Sequence, residues 1–264
     1  MKDTAQRQYV LSKSLDGFFL GVYYSAGFVI QFFKEAFVPP YEVKEIVRQC
    51  YQIGYKTLFL ITLTAFITGM VFTDHSRPAL SDFGATSWLP ALTGTAIIKA
   101  LAPLITSLIC AGKAGSQIGA ELGSMKVTEQ IDAMEVSGVD PFRVLVVTRI
   151  IATTFMVPLL TLYSAFIGLC GSFVDVTSKD QTTLSVFIQD TFIKVGFVEI
   201  LSALVRSAFF GFTIGVVSCY QGFTTTAGTE GVGRAANSSV VISMLLIFIE
   251  EISVVKVFNS FLPQ

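Results

Sequence analysis

The chain has 264 residues, of which 52% are hydrophobic and 14% are charged, whereas soluble domains average about 25% charged residues. This composition excludes a protein with an ordinary water-facing surface, a disordered chain and a disulfide-stapled secreted module. The net charge of −1 provides no field to attract a polyanion, so nucleic acid is not expected as a partner and an integral membrane protein remains.

The N-terminal part divides into a polar tail and an aromatic-rich stretch. Residues 1–14 contain no basic region followed by an apolar core, which predicts a retained tail rather than a cleaved signal peptide. Gly17 to Phe33 is apolar and rich in Phe and Tyr. Because aromatic rings favour the headgroup boundary, an interfacial helix is preferred over a membrane span. Residues 1–40 are therefore assigned to a cytoplasmic tail and an interfacial amphipathic helix.

Five further stretches are long and apolar enough to cross the hydrocarbon core, which needs about 20 residues. They are Thr57–Thr73 (extendable back to Cys50), Trp88–Cys110, Ile150–Val174, Ser207–Thr229 and Val240–Phe258. Because helices satisfy their own backbone groups in lipid, the predicted fold is an all-α integral membrane protein, with an N-terminal interfacial helix and five transmembrane helices. The five spans form one domain over residues 41–264.

The basic residues near the spans predict the orientation. Twelve of them fall before the first span or in the loops on the same side: Lys2, Arg7, Lys13, Lys34, Lys44, Arg48, Lys56, Lys113, Lys126, Arg143, Arg149 and Arg234. Three fall in the opposite loops: Arg77, Lys179 and Lys194. Because cytoplasmic loops carry the excess of Lys and Arg, the N-terminus is predicted to be cytoplasmic and the C-terminus external.

The cysteine and histidine residues give no sign of a metal site or a catalytic centre. The chain has no CxxC pair among its four cysteines, Cys50, Cys110, Cys170 and Cys219. These cysteines are interpreted as small buried hydrophobic residues rather than as disulfide partners or metal ligands. A single His makes a His-based metal site or catalytic dyad improbable. No catalytic residue and no metal ligand are therefore predicted.

Small residues recur every four positions after the second span. Gly115, Gly119 and Gly123 line one face of a helix together with Ala111, and such a face lets another helix approach closely. These glycines are interpreted as helix-packing residues. Gly112-Lys113 is followed by Ala114, so the spacing of a phosphate-binding loop is absent and the chain is not expected to hydrolyse ATP itself.

A short amphipathic element is predicted over Val127 to Val136. Its apolar positions are Val127, Ile131 and Met134, and its polar positions are Thr128, Glu129, Asp132 and Glu135. Ser137-Gly138 is typical of a helix end, and Asp140-Pro141 of a cap and first-turn residue for the next helix. On physical grounds alone, a docking element for a soluble partner and an ordinary connector remain equally open.

Two long motifs in this region carry a resemblance to a known family. They read GKAGSQIGAELGSMKVTEQIDAMEVSGVDPFRVLVVTRIIA, starting at Gly112, and CYQGFTTTAGTEGVGRA, from Cys219 to Ala235. Both motifs resemble the MlaE/YrbE family, the permease subunits of ABC transporters that work with MCE proteins in lipid trafficking. The likeness runs from about residue 41 to the fifth span.

The resemblance implies a homodimeric permease with a coupling helix that docks on a separate ATPase, which holds the ATP and magnesium. By position, the coupling residues would be Val127, Thr128, Glu129, Ile131, Asp132 and Met134, with Glu129 and Asp132 near the partner. The implied partners also include an MCE-domain protein across the membrane, a small STAS-domain regulator and a phospholipid or similar substrate. The implied location is the bacterial inner membrane, or alternatively the plastid inner envelope.

The sequence departs from the family pattern at three places. Where the family commonly has Arg-Glu-x-Gly-Pro, this chain has Lys99-Ala100-Leu101-Ala102-Pro103, which retains the basic charge and the proline but loses the acid and the glycine. The usual Pro-Arg before the third span is Thr148-Arg149, and the fifth span carries Glu250-Glu251. No role of the missing carboxylate is carried over to this chain.

Ionisable residues at membrane depth are the remaining candidates for function, because each is costly in lipid without a partner or a cavity. They are Lys99, Glu199, Arg206, Glu250 and Glu251. One hypothesis is that Lys99, with Arg206 as a further candidate, binds a lipid phosphate between apolar walls formed by Met70, Val71 and Phe72. The alternative is an intramembrane ion pair, such as Arg206 with Glu250, or snorkelling to the interface.

Two other classes of function are weighed against an ATP-driven permease. An ion-coupled lipid or small-molecule transporter would use Lys99 and the buried glutamates without an ATPase, but an odd number of spans does not suit an inverted repeat. A membrane-embedded lipid-modifying enzyme would need convergent catalytic groups, whereas the acids here are scattered. The favoured interpretation is that the chain is a non-catalytic permease subunit.

Overall fold

A computed structural model describes residues 21, 23–37, 42–180, 182–226 and 228–261, and this part of the chain is helical with no strand. The helices are α1 (23–36), α2 (Val43–Asp82), α3 (Thr86–Val127), α4 (Gln130–Val136), α5 (Phe142–Asp180), α6 (Leu184–Lys194), α7 (Phe197–Phe223) and α8 (Gly228–Phe261). The all-α class predicted from the sequence is confirmed.

Five of the described helices, α2, α3, α5, α7 and α8, are long and apolar enough to cross a membrane. This confirms the predicted number of spans and makes the chain a membrane protein. The helices are longer than the predicted apolar stretches: α2 has 40 residues and α5 has 39. At about 1.5 Å per residue each is close to 60 Å long, about twice the hydrocarbon thickness, so both project beyond it. The predicted stretch Ser207–Thr229 is displaced from its helix, because α7 begins at Phe197 and ends at Phe223.

The predicted outer loops are largely helical, which corrects the sequence interpretation. His75 and Arg77 lie inside α2, and Lys179 lies in the last turn of α5. Lys194 ends the additional helix α6. Hydropathy marks only the lipid-crossing part of a helix, so polar extensions read as loops although their backbone stays helical.

Three π-helical segments interrupt the regular helices. Two of them, Ile97–Leu101 and Ala111–Gly115, lie in α3, and the third, Phe142–Val147, forms the start of α5. A π-turn changes the direction in which the side chains that follow it point, and it leaves backbone carbonyl groups free to accept hydrogen bonds from other donors. Both features bear on the ionisable residues described below.

Helix α5 lies at the centre of the described bundle, packed along α2 on one side and α7 on the other. The α2–α5 contact is a backbone contact, because a Cβ atom on Gly69 would lie 2.0 Å from the carbonyl oxygen of Gly168. Next to it, Thr73 donates a 2.7 Å hydrogen bond to Ser172. Only glycine fits this crossing, so α2 and α5 form a closely packed pair.

The predicted interfacial stretch falls partly outside the described residues, which omit 17–20 and 22. The described helix α1 packs through Phe28, whose ring lies 5.0 Å from that of Phe142 and 6.5 Å from that of Phe223. Glu35 accepts a 2.7 Å hydrogen bond from Arg143. Helix α1 is therefore fixed to the first turn of α5, and its position at the membrane interface remains a prediction.

Candidate functional site

The loop between α3 and α5 contains a short helix that begins three residues later than the predicted element over Val127 to Val136. Helix α4 begins at Gln130, so Val127 is the last residue of α3, and Thr128 and Glu129 form the connection. Glu129 adopts a left-handed conformation with φ 58°. At the far end, Gly138 has φ 78°, and the carboxylate of Asp140 accepts a 3.0 Å hydrogen bond from the Phe142 amide. The predicted helix end and cap are confirmed.

The six predicted coupling residues divide by exposure. Ile131 is fully buried, and Val127 and Met134 are half-buried, so these three anchor the segment to the bundle. The polar members Thr128, Glu129 and Asp132 are exposed. Lys126 lies 2.7 Å from Asp132 and links the end of α3 to α4. The segment therefore presents a polar, mainly acidic surface while its apolar side holds it to the bundle.

The three small residues of α3 lie against the last two helices. A Cβ atom on Gly115 would lie 3.0 Å from the Ser218 hydroxyl on α7, and one on Gly123 would lie 3.1 Å from the Thr225 hydroxyl. At Gly119 the added atom would lie 2.4 Å from the Ser239 hydroxyl on α8. These positions bring α3, which leads into α4, into close contact with α7 and α8.

Lys99 lies in a π-turn of α3 and pairs with an acid on α7. Its ammonium group lies 3.4 Å from the carboxylate of Glu199, and both side chains are partly exposed. The carbonyl oxygen of Lys99 accepts a 3.0 Å hydrogen bond from Arg206, also on α7. The residue predicted to bind a lipid phosphate is thus already engaged by a carboxylate in this structure.

Arg206 pairs with Glu251, at 2.8 Å, and not with Glu250. This corrects the partner suggested as an example from the sequence. Glu250 instead accepts a hydrogen bond from the hydroxyl of Thr213. Adjacent residues on a helix point about 100° apart, so a sequence with two neighbouring acids does not specify which one faces the arginine.

A further ion pair joins a buried arginine of α5 to a partly exposed glutamate of α3 and was not predicted from the sequence. Arg149 has 2% of its surface exposed, and its guanidinium lies 3.2 Å from the carboxylate of Glu121. It also donates a 2.9 Å hydrogen bond to the carbonyl of Leu145. The sequence signal was an arginine directly before an apolar span, but its partner is distant in the chain and no local spacing reveals it.

The projecting ends of α2 and α5 are joined by a cluster of charges. Arg77 donates a 2.6 Å hydrogen bond to Asp175 and also pairs with Asp180. Lys179 lies 3.0 Å from Asp175 and also pairs with Asp74. Asp175 is almost fully buried at 1% exposure, so these pairs neutralise a carboxylate that would otherwise be costly.

The predicted lipid-wall residues lie on the outer surface of α2. Met70 is 42% exposed and Val71 is 46% exposed, and Phe72 is half-buried. A cavity of about 840 Å³ that is open to the surface lies elsewhere, between α1, α5, α7 and α8, and Phe155 and Phe209 in its wall are 69% and 56% exposed. Its lining is mostly aromatic and aliphatic: Phe32, Phe33, Ile151, Thr154, Phe155, Val205, Ala208, Phe209, Phe212, Thr213 and Glu250. Neither Lys99 nor the three predicted wall residues contribute to it.

All four cysteines are free thiols. Cys110 and Cys219 are fully buried, whereas Cys50 and Cys170 are partly buried. Within the described ranges, no group of three or more His, Cys, Asp or Glu residues is arranged to hold a metal ion. The candidate sites are therefore the exposed surface of residues 127–136 (the α4 segment), the paired charges of α3, α7 and α8, and the apolar cavity.

Comparison with known proteins adds an independent observation. The profile of a family described as Permease MlaE matches residues 46–257. A probable ABC transporter permease protein of Rickettsia felis is 34% identical over 220 residues, covering 83% of this chain and 85% of the relative. One from Synechocystis sp. is 34% identical over 206 residues, covering 78% of each chain. The Arabidopsis thaliana protein TRIGALACTOSYLDIACYLGLYCEROL 1, chloroplastic, is 33% identical over 208 residues, 79% of this chain and 59% of that protein.

Proposed function

The chain belongs to the MlaE permease family, and from that membership we propose a specific role for it. It is the membrane-spanning, non-catalytic subunit of an ABC transporter that moves phospholipids or related lipids between the bacterial inner membrane and an MCE-domain partner. ATP and magnesium are bound by a separate ATPase subunit. The observation that carries this proposal is the exposed acidic surface of the α4 segment, held at the junction between two spans.

The attachment of α4 explains how an ATPase would act on the spans. Ile131 is buried in the bundle, and the Lys126–Asp132 pair ties α4 to the last turn of α3. Asp140 caps the first turn of α5, directly after α4. A force on the exposed side of α4 would therefore be passed to α3 and α5 together, and through the small-residue contacts of α3 to α7 and α8.

The chemistry of the exposed surface indicates the kind of partner. Glu129, Asp132 and Glu135 are exposed on or beside α4, and Val136 next to them is 91% exposed. An acidic surface with an apolar residue at its edge fits a basic groove that has an apolar patch at the matching edge. The ATPase is proposed to provide such a groove.

A lipid substrate is supported by the uncovered apolar faces of two spans. Tyr55, Phe59 and Leu63 follow one another at four-residue spacing on α2 and are at least half exposed. In the most apolar segment of α8, 22% of the residues are buried, against 61% in α5. Such faces suit either acyl chains or a second copy of the chain, and the proposed assembly is a homodimer whose copies enclose part of the lipid path.

The substrate class and the remaining partners rest on family membership. The name of the Arabidopsis relative contains that of a glycolipid, trigalactosyldiacylglycerol, which agrees with a lipid substrate. An MCE-domain protein on the outer side and a small STAS-domain regulator on the cytoplasmic side complete the proposed assembly. An N-terminal interfacial helix over Gly17 to Phe33 and a cytoplasmic N-terminus belong to the same proposal.

Charge reversal on the α4 segment tests this role. The full chain carrying Glu129→Lys and Asp132→Lys is co-expressed with its neighbouring ATPase and purified through the permease. We expect at least about tenfold less ATPase to co-purify, because complementary charges become repulsive. The control is Glu230→Lys, a single reversal of an exposed acid at the start of α8, which makes half of the charge change of the double variant and leaves α4 unaltered.

Two results would contradict the proposal. Undiminished ATPase association in the double variant would exclude α4 as the docking element. Lipid movement by the purified chain in vesicles without any ATPase would favour the ion-coupled alternative.

A further inference from the structure

The cavity between α1, α5, α7 and α8 is distinctive because its apolar lining contains one ionisable group among the described residues. Eight of the side chains that line it are aromatic or aliphatic, and Thr154, Thr213 and Glu250 are the polar ones. Thr154 donates a 2.7 Å hydrogen bond to the carbonyl of Ile150, so its hydroxyl is already used within α5. The polar character of the cavity is therefore concentrated at Glu250 and Thr213.

The carboxylate of Glu250 is only half satisfied by the described residues. One oxygen accepts the hydrogen bond from Thr213, whereas Oε2 is buried without a partner. The Oε2 atom of the neighbouring acid Glu251 also has no hydrogen-bond partner among the described residues, but Glu251 is paired with Arg206 at 2.8 Å, so Arg206 does not serve Glu250. A buried carboxylate oxygen is costly in an apolar environment unless a donor or a cation reaches it.

The size and position of the cavity fit a long apolar ligand. Its volume of about 840 Å³ lies within the range of about 300–1,000 Å³ that is usual for small-molecule sites. Phe32 and Phe33 of α1 line one side, and Thr213 of α7 lies beside Glu250 of α8 in the lining. An elongated molecule would enter beside α1 and place one end against Glu250.

The geometry points to a binding site for a single-chain lipid that carries a hydrogen-bond donor, an ammonium or a hydroxyl group, at the end that meets Glu250. The apolar walls take the hydrocarbon chain, and Oε2 of Glu250 accepts the donor. An ionised Glu250 disfavours a phosphate at this end, because two negative charges repel each other. This site is separate from Lys99 and does not depend on the transport role proposed above.

Photo-crosslinking with matched probes tests the site. Three palmityl probes carry the same mid-chain diazirine and end in an ammonium, a hydroxyl or a methyl ether, and each is incubated with the purified full chain in nanodiscs. Mass spectrometry of the digested protein locates the adducts. We expect the ammonium and hydroxyl probes to label Phe155, Phe209 or Phe212 about tenfold more than the methyl ether, as the loss of a hydrogen bond to a charged group predicts.

Variants of Glu250 separate the two kinds of donor. Glu250→Gln should retain labelling by the hydroxyl probe, because the amide oxygen still accepts, and lose most of the preference for the ammonium. Glu250→Leu should label equally with all three probes. Glu230→Gln on the exposed start of α8 is the matched control and should behave as the unaltered chain.

A variant that fills the cavity tests whether the probes bind there, and it leaves the charge of Glu250 unchanged. Phe209→Trp should reduce labelling by all three probes while the chain remains monodisperse. Equal labelling by the three probes in the unaltered chain would overturn the proposal and leave an ordinary lipid-filled groove. Crosslinks from the cavity residues to a second copy of the chain would also overturn it, because the partner copy would then be the occupant.

Discussion

The α2–α5 pair and helix α8 represent two different ways of building a membrane helix into this bundle. Gly69 and Gly168 bring the backbones of α2 and α5 into contact, and the charges around Asp175 join their projecting ends. In contrast, α8 leaves most of its apolar segment uncovered, since 22% of the residues in that segment are buried. The first region behaves as a fixed scaffold, whereas the second is open to ligands and partners.

The largest expected effect comes from adding one methyl group at the scaffold crossing. In Gly69→Ala the new Cβ would lie 2.0 Å from the Gly168 carbonyl oxygen, so the two backbones must separate. We expect the free energy of unfolding to fall by about 3 kcal/mol or more, measured by thermal unfolding in detergent. The matched control is Gly233→Ala on α8, where nothing lies within 4 Å of the added atom.

The control measures the effect of the same added methyl group in the open region of α8. Replacing glycine by alanine in an open helical position stabilises by up to about 1 kcal/mol, so Gly233→Ala should be neutral or slightly stabilising. Equal destabilisation at Gly69 and Gly233 would mean that α8 is packed as tightly as the scaffold, and the distinction between the two regions would fail.

A smaller effect is expected from the charge cluster at the end of the scaffold. Arg77→Ala leaves the buried Asp175 with Lys179 as its nearest cation, and we expect a loss of about 2 kcal/mol, less than for a fully orphaned buried charge. Adding Asp175→Asn to Arg77→Ala should restore part of the stability, because the uncompensated charge is removed. A double-mutant cycle by thermal unfolding with no coupling between the two positions would contradict this view of the cluster.

The smallest stability effects are expected at the Lys99–Glu199 pair, because both side chains are partly exposed. The informative readout there is bound lipid. Removing the competing carboxylate in Glu199→Gln should increase the phospholipid that co-purifies with the chain, and Lys99→Ala should decrease it. Quantitative lipid mass spectrometry measures both, and unchanged phospholipid in the two variants would exclude Lys99 as a phosphate ligand.

The sequence predicted those features that depend on local patterns. The number of spans follows from hydropathy, and the cap at Asp140 follows from the Asp-Pro pair that precedes α5. Pairings between distant helices were not predictable in the same way. The partner of Arg206 depends on how α8 is rotated about its axis, and the partner of Arg149 depends on how α5 packs against α3. The spacing of residues along one helix specifies neither arrangement.

The cavity illustrates the same limit. Its lining comes from four helices, and Phe32, Phe209 and Glu250 are far apart in the chain. The sequence singled out Glu250 as a costly residue at membrane depth, but the apolar surroundings and the Thr213 hydrogen bond emerge only from the fold. The helix extensions beyond the apolar stretches, including that with Arg77, were missed because hydropathy does not report on helical backbone outside lipid.

The most direct test of the account is ATP-dependent movement of a fluorescent phospholipid in vesicles that contain the chain and its ATPase. We predict that movement requires ATP, and that the Glu129→Lys and Asp132→Lys variant abolishes it although the ATPase alone still hydrolyses ATP. Movement that persists in this variant, or that proceeds without the ATPase, would contradict the central claim that the α4 segment transmits the work of ATP hydrolysis to the membrane-spanning helices.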